Sequence, residues 1–351
     1  MPLRAYPALS RRGILAATGG LGAASLLAAC GDGADEAPEE GGASGPFSFL
    51  DERDQEDVEL ETVPTKVVAF TGLAAALYDY GVEVAAVFGP TTLADGQPDL
   101  QAGRMPVEDL TVLGNAWGEF DVEKYAELGP ELIVSHYYEG FDLWFVPEDR
   151  LEEVESLAPG VGIEVSLPTL DQIIDRHAAL AEALGADLDS DENAAAVERF
   201  GAAMAAVPDS YFEVSVSTGH EYKAMAVGAW PDGLYIANPP TFNLLAKCVE
   251  LGVDFVVPEN ADQNGYWELL SWENVDKYQA DVIFLDLRTG NISPEQLVAD
   301  YPTWAALPAV QAGQVYGWNG EPVYSHIGGA VELERIAEGL FAGRPLASLD
   351  D

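Results

Sequence analysis

FDVEKYAELGPELIV, residues 120–134, has a counterpart 150 positions later in LSWENVDKYQADVIF, residues 270–284. Aligned without a gap, Glu123 falls on Glu273 and Ile133 on Ile283. Apolar residues coincide as well: Phe120 with Leu270, Val122 with Trp272, Tyr125 with Val275, Leu128 with Tyr278, and Leu132 with Val282. Each copy reads as a short amphipathic helix with apolar residues at a spacing of three, then an acid, then an apolar strand. Just upstream, DYGVEVAAVF (79–88) pairs with ELGVDFVVPE (250–259), and Gly81 and Gly252 stand where a helix stops. Two matched blocks in the same order predict one α/β lobe used twice.

Working outward, KVVAF (66–70) reads as a buried strand, followed by a helix over 73–80, a strand over 84–88 and a long Pro/Gly-containing loop. Strands alternating with helices predict parallel sheets covered by helices. Ligands of such sheets lie at the carboxyl ends of the strands. That rim carries Trp117 and the run His136-Tyr137-Tyr138 in the first lobe, and Trp230, Tyr235, Tyr266, Trp267 and Arg288 in the second. Thr169 and Gln172 form a capping box ahead of a helix with the apolar stripe Leu170, Ile173, Ile174, Leu180. Lying between the two copies, this helix is the natural connector, and His177 on its stripe reads as a packed core residue. A second helix over 191–207 ends at Pro208, and 212–217 and 223–228 read as strands. The boundaries are 1–29 for an export signal, 30–46 for a tether, 47–167 for the first lobe, 168–187 for the connecting helix and 188–351 for the second lobe.

The first 29 residues stand apart from the fold. Ser10-Arg11-Arg12-Gly13-Ile14-Leu15 is a twin-arginine start, and the Ala/Gly/Leu run behind it is too short and weak for a comfortable transmembrane helix. Leu27-Ala28-Ala29-Cys30 resembles a bacterial lipobox, so Cys30 is expected to carry lipid after cleavage. The stretch GDGADEAPEEGGASG (31–45) is polar and Gly/Pro-rich, a flexible tether with nothing to bury. The expected location is the outer face of the cytoplasmic membrane. With Cys30 lipidated, Cys248 is left alone, and it reads as a small buried hydrophobe.

The chain carries 60 acids against 16 Lys and Arg, a formal net charge of −44. Cleavage would remove three arginines and no acids, taking that to −47. So negative a surface excludes nucleic acid as a partner. Spread along the whole chain, the acids point to work in high salt, where self-repulsion is screened, rather than to cation capture.

At this point the chain, from about Val67 to its end, resembles the substrate-binding lipoproteins of iron–siderophore and vitamin B12 ABC importers. EKYAELGPELIV, its second copy and the tail WAALPAVQAGQVY (304–316) carry the resemblance. It implies two α/β lobes joined by one helix, a ligand between them and no catalysis. It also implies one surface glutamate on each lobe docking on permease arginines; the matching positions are Glu123 and Glu273. Glu131 departs from the usual Asp after the Pro, and the segment 90–104 is unusual.

A ferric siderophore brings its own iron ligands, so the protein needs aromatic walls and a few polar anchors rather than a coordination shell or a cofactor of its own. Trp117, Tyr137, Tyr138, Trp230, Tyr235, Tyr266 and Trp267 supply such faces, and Arg288 is the candidate anion anchor. Scarce cations favour a hydroxamate or mixed siderophore over an anionic catecholate. Haem is the second ligand, with His136 as a candidate axial group; cobalamin and bare metal ions follow. A lipid-anchored hydrolase is disfavoured, because no G-x-S-x-G elbow or H-E-x-x-H exists and Ser217-Thr218-Gly219-His220 is no triad by itself. A surface protein with an interaction role alone is the remaining alternative. The expected partners are the ferric siderophore, the importer permease and the membrane, and the expected state is a monomer.

Overall fold

Both copies of the repeat deliver an inner strand of a sheet, and the same backbone pairing docks each. The computed structural model describes residues 45–138, 140–218 and 222–346. The export signal, Cys30, the tether as far as residue 44, and His220 lie outside the described residues. The first lobe opens on a hairpin that the sequence did not announce, β1 (Phe47–Asp51) and β2 (Glu56–Leu60). It continues through β3 (Val67–Phe70), α1 (Thr71–Asp79), β4 (Ala86–Phe88), α2 (Val122–Leu128) and β5 (Leu132–Tyr138). β6 (Phe141–Leu143), α3 (Leu151–Leu157) and β7 (Gly160–Glu164) complete it. β4, β3, β5 and β7 lie side by side and parallel, and β6 folds back antiparallel on the end of β5.

Two helices follow, α4 (Leu170–Ala183) and α5 (Asp191–Thr218). The second lobe holds β8 (Ala224–Trp230), β9 (Gly233–Ala237), α6 (Asn243–Glu250), β10 (Trp267–Leu270) and β11 (Val282–Asp286). Its remaining elements are α7 (Pro294–Asp300), the short α8 (Pro302–Ala305) and α9 (Pro308–Gln311), β12 (Val315–Trp318) and α10 (His326–Ala342). The strand order is β10–β9–β8–β11–β12. β8, β11 and β12 form the parallel core, extended by β9 and β10, which pair antiparallel.

The duplication is visible in chemistry as well as outline. The Glu131 amide donates to Lys66 O at 2.9 Å, and the Asp281 amide donates to Lys223 O at 2.8 Å. In return the Glu131 carboxylate accepts from the Lys66 amide at 3.1 Å, and that of Asp281 from the Lys223 amide at 2.8 Å. Each lysine immediately precedes the parallel strand that the repeat pairs with. Residues 121–130 and 271–280 share the same exposure class at nine of ten positions. Gly81 and Gly252 both take positive φ, 89° and 98°, as the helix stops require.

Two expected elements differ. The second copy opens with a 3-10 turn, Trp272–Asn274, in place of an α-helix. The first copy ends on Gly129 in the left-handed conformation, and its counterpart, Gln279, lacks that freedom. Residues 212–217 belong to α5, which runs through Pro208, not to a strand. Val207, Tyr211 and Val214 face inward while Phe212 and Val216 face solvent, which is helical spacing; the alternation in FEVSVS misleads because a helical turn also fits it.

α4 is packed into both cores. Leu170, Ile173 and Ile174 sit in the core formed with α5, β8 and α10. Ala178, Leu180 and Ala181 sit in the core of the first lobe. The capping box fixes its start: the Gln172 amide donates to Thr169 Oγ1, and the Thr169 amide donates to Gln172 Oε1 at 3.0 Å. α5 then carries the chain into the second lobe.

Candidate functional site

The strand ends of the two lobes face each other across a cavity of about 230 Å3. The first lobe lines it with Pro90, Asp99, Gln101, Trp117, Trp144 and Phe145, and the second with Trp230, Arg288, Thr289 and Glu321. Trp117 is 55 % exposed and rests edge-on against Trp144 (centroids 5.0 Å apart) and Phe145 (5.1 Å). Tyr138 supports Trp144 from beneath at 4.7 Å. Phe145 has φ +66°, a conformation that is costly for a bulky residue, and it is held by the turn from Leu143 O to the Val146 amide. Across the gap, Trp230 packs on Tyr235 at 4.8 Å and on Trp267 at 5.9 Å.

Arg288 stands at the mouth of β11. Its Nε and Nη2 donate to the buried Asp286 carboxylate at 2.9 and 2.7 Å, and Nη1 donates to Glu321 Oε1 at 2.7 Å. Burial alone would lower the guanidinium pKa; the two carboxylates more than reverse this, and the net shift is upward. Gly320 makes the arrangement possible, since a Cβ there would lie 2.7 Å from Nη2. Glu321 also accepts from Gln101 Nε2 at 2.6 Å, and the Thr289 hydroxyl donates to Asp99. The lobes therefore touch through two polar bridges at the edge of the cavity. Burial, with Glu321 next in weight, raises the Tyr138 pKa, so that phenol stays protonated.

Of the residues expected at the rim, Trp117, Trp230 and Arg288 line the cavity. Tyr235 and Trp267 stand behind Trp230, with the Tyr235 hydroxyl donating to Asp232. Tyr138 stands behind Trp144, and Tyr266 packs on Phe242. Tyr137 lies on the other face of β5, beside Gly162 and Arg53, as strand alternation dictates.

His136 is a correction. It is 1 % exposed, packed between Phe70, His177 and Tyr324. His177 Nδ1 donates to Ile173 O at 2.8 Å, so its Nε2 is the acceptor for the His136 Nε2–H at 3.2 Å. Burial holds both imidazoles neutral, with the His177 pKa pushed down to about 4 and that of His136 well below its ordinary value. Such a pair offers no axial ligand to a group in the cleft.

Sequence reasoning missed Asp99, Gln101, Trp144, Phe145 and Glu321. The aromatic doublet Trp144-Phe145 directly after β6, and Glu321 three residues beyond β12, were the available signals. Asp99 and Gln101 lie in the 90–104 segment, whose sequence has no periodicity to place it.

A larger cavity of about 450 Å3 adjoins the first, sharing Asp99 and Thr289. No aromatic side chain lines it, and both of its cations are paired already: Arg104 with Asp79 at 2.8 Å, and Arg335 with Glu332 at 3.4 Å. The aromatic cavity is the better candidate. Among the described residues, no group of three or more His, Cys, Asp or Glu side chains is placed to hold a metal ion. Cys248 is buried, and burial pushes its thiol up to about 12. Glu123 and Glu273 are both exposed, at matched places on the two lobes.

Residues 67–322 match the family model described as periplasmic binding protein, so the chain belongs to that family. No curated protein sequence matches it. The crystal structure of DesE, a ferric-siderophore receptor protein from Streptomyces coelicolor, superposes with a TM-score of 0.79 at 42 % identity, covering 86 % of this chain and 100 % of that one. The petrobactin-binding protein YclQ from Bacillus subtilis gives 0.63 at 17 % identity, over 84 % and 98 % of the two chains. FeuA from Bacillus subtilis, a triscatecholate siderophore binding protein, gives 0.59 at 18 %, over 84 % and 97 %. The last two bear on the fold alone. Family and relatives are binding proteins. Among the described residues, no helix is long and apolar enough to cross a membrane.

Proposed function

We propose that the chain captures a ferric siderophore between its two lobes and hands it to the permease of an ABC importer. The observation that carries this is the aromatic cavity between the lobes, in a family member 42 % identical to a ferric-siderophore receptor. Trp117, Trp144 and Phe145 on one side and Trp230 on the other form the faces against which the ligand packs, with Arg288 and Gln101 as polar anchors. Iron arrives inside the ligand, and the protein performs no catalysis. A hydroxamate or mixed siderophore suits a cleft so poor in cations. The packing of His136 against His177 weighs against haem.

In this reading Glu123 and Glu273 meet permease arginines as a symmetric pair, since exposed carboxylates at equivalent places suit a two-subunit receiver. Export uses the twin-arginine signal, Cys30 carries the lipid, the tether lets the monomeric body move above the membrane, and the lobe boundaries fall near residues 167 and 188.

The test is tryptophan fluorescence of residues 31–351 in high salt, titrated with ferric hydroxamates, ferric catecholates, haemin and cobalamin. Saturable quenching by one siderophore class at sub-micromolar concentration is expected, and weakening it tenfold or more should require only Trp117→Ala or Trp230→Ala. Quenching by haemin alone would overturn the assignment. Docking is tested separately: Glu123→Arg with Glu273→Arg should abolish uptake in cells and leave ligand affinity unchanged, and intact uptake would refute it.

A further inference from the structure

We propose that Glu321 sets the charge of the ferric complex that the cleft accepts, admitting cationic and neutral complexes and rejecting anionic ones. The inference rests on the siderophore reading and adds a selection rule to it. Arg288 is the one cationic side chain lining the aromatic cavity among the described residues. Three of its five N–H directions are already committed, two to Asp286 and one to Glu321. Two carboxylates therefore face one guanidinium, and Asp99 on the opposite wall adds a third. The cavity presents a negative field in spite of its arginine.

The two partners of Arg288 differ in kind. Asp286 is buried behind the guanidinium and 1 % exposed. Glu321 lines the cavity itself, held by Gln101 Nε2 and by the bond from its own amide to Asn319 Oδ1 at 3.0 Å. An anionic ligand approaching Arg288 meets the Glu321 carboxylate beside it, and displacing Glu321 would cost that carboxylate its only ion-pair partner among the described residues, in a cavity walled largely by aromatic rings. A neutral or cationic complex leaves the pair intact, and a cation gains attraction from the uncompensated charge. At a separation of roughly 6 Å and an effective dielectric of about 40, each unit of ligand charge changes affinity by about tenfold.

The experiment uses the full chain and one ligand scaffold in three charge states. A linear ferric trishydroxamate ending in a primary ammonium carries +1, its N-acetyl derivative 0 and its N-succinyl derivative −1. Dissociation constants come from fluorescence quenching at about 0.15 M salt, with circular dichroism confirming the fold of each variant. Affinity should fall about tenfold at each step. Glu321→Gln should reduce each step to about threefold, since Asp99 remains, and Glu321→Asp, which keeps the charge, should preserve the ladder. A flat ladder in the unaltered protein, or an unchanged slope in Glu321→Gln, overturns the inference and leaves siderophore binding standing. If none of the three binds but an anionic ferric triscatecholate does, the charge rule is wrong and the siderophore reading survives. If no ferric complex binds at all, both fail.

Discussion

The His136–His177 pair makes a quantitative demand on how stability varies with pH. Burial pushes the His177 pKa down to about 4, against an ordinary value of about 6.5 in the unfolded chain. Between those limits the unfolded chain binds a proton that the folded chain refuses. The contribution is therefore fully present above pH 6.5 and is lost as pH falls toward 4. Working that linkage from pH 8 to pH 5 gives a loss of about 2 kcal/mol for His177 alone, and His136, shifted the same way, adds to it. In a chain of this size, 2 kcal/mol corresponds to a melting temperature lower by about 4 °C. Other groups titrate over the same range, so the useful quantity is a difference. Thermal unfolding of the protein and of His177→Gln is followed at both pH values, and the gap between them should narrow by about 2 kcal/mol on going to pH 5. Nitrogen NMR of the imidazoles supplies the second reading, and neither should titrate above pH 5. A pH-independent gap, or an imidazole of this pair titrating near 6.5, would refute the packed neutral pair and reopen His136 as a ligand.

The duplicated carboxylates should differ in their contribution. Asp281 is fully buried and holds the Lys223 and Leu346 amides, so Asp281→Ala should destabilise by about 3 kcal/mol. Glu131 makes equivalent bonds at the surface, where water can replace it, and Glu131→Ala should cost about 1 kcal/mol or less by denaturant unfolding. Equal losses would contradict this. With a formal net charge of −44, the melting temperature should rise by at least a few degrees between dilute and molar salt, and equal values would remove the argument from screening.

What the sequence revealed and what it hid follow from the range of the interactions involved. The repeat, the capping box and the parallel strands are local patterns, and residues such as Thr169, Gln172 and Gly81 report them directly. Trp117, Trp230 and Arg288 were reachable because strand ends define a rim. Residues such as Gln101 and Glu321 act through a contact between positions 220 residues apart, which no periodicity records. His136 misled for the opposite reason. It sits among rim residues in the sequence, but it lies two residues deeper than Tyr138 on the same face of β5, where Phe70, His177 and Tyr324 bury it. Phe212 and Val216 were misread because an exposed helical face can alternate like a strand.

The two cores are interleaved along the chain, and this bears on how the protein is made. The first lobe's core holds Ile133 and Val134 from β5, Leu180 and Ala181 from α4, and Val323 from just before α10. That last residue leaves the ribosome roughly 10 to 40 seconds after β5, at about 5–20 residues per second. Throughout that interval the nascent first lobe exposes apolar surface that only the far end of the chain can cover. The lobes therefore mature together rather than in succession, and a product truncated shortly after α4 would be born with an unfinished core, a natural target for chaperones and proteases.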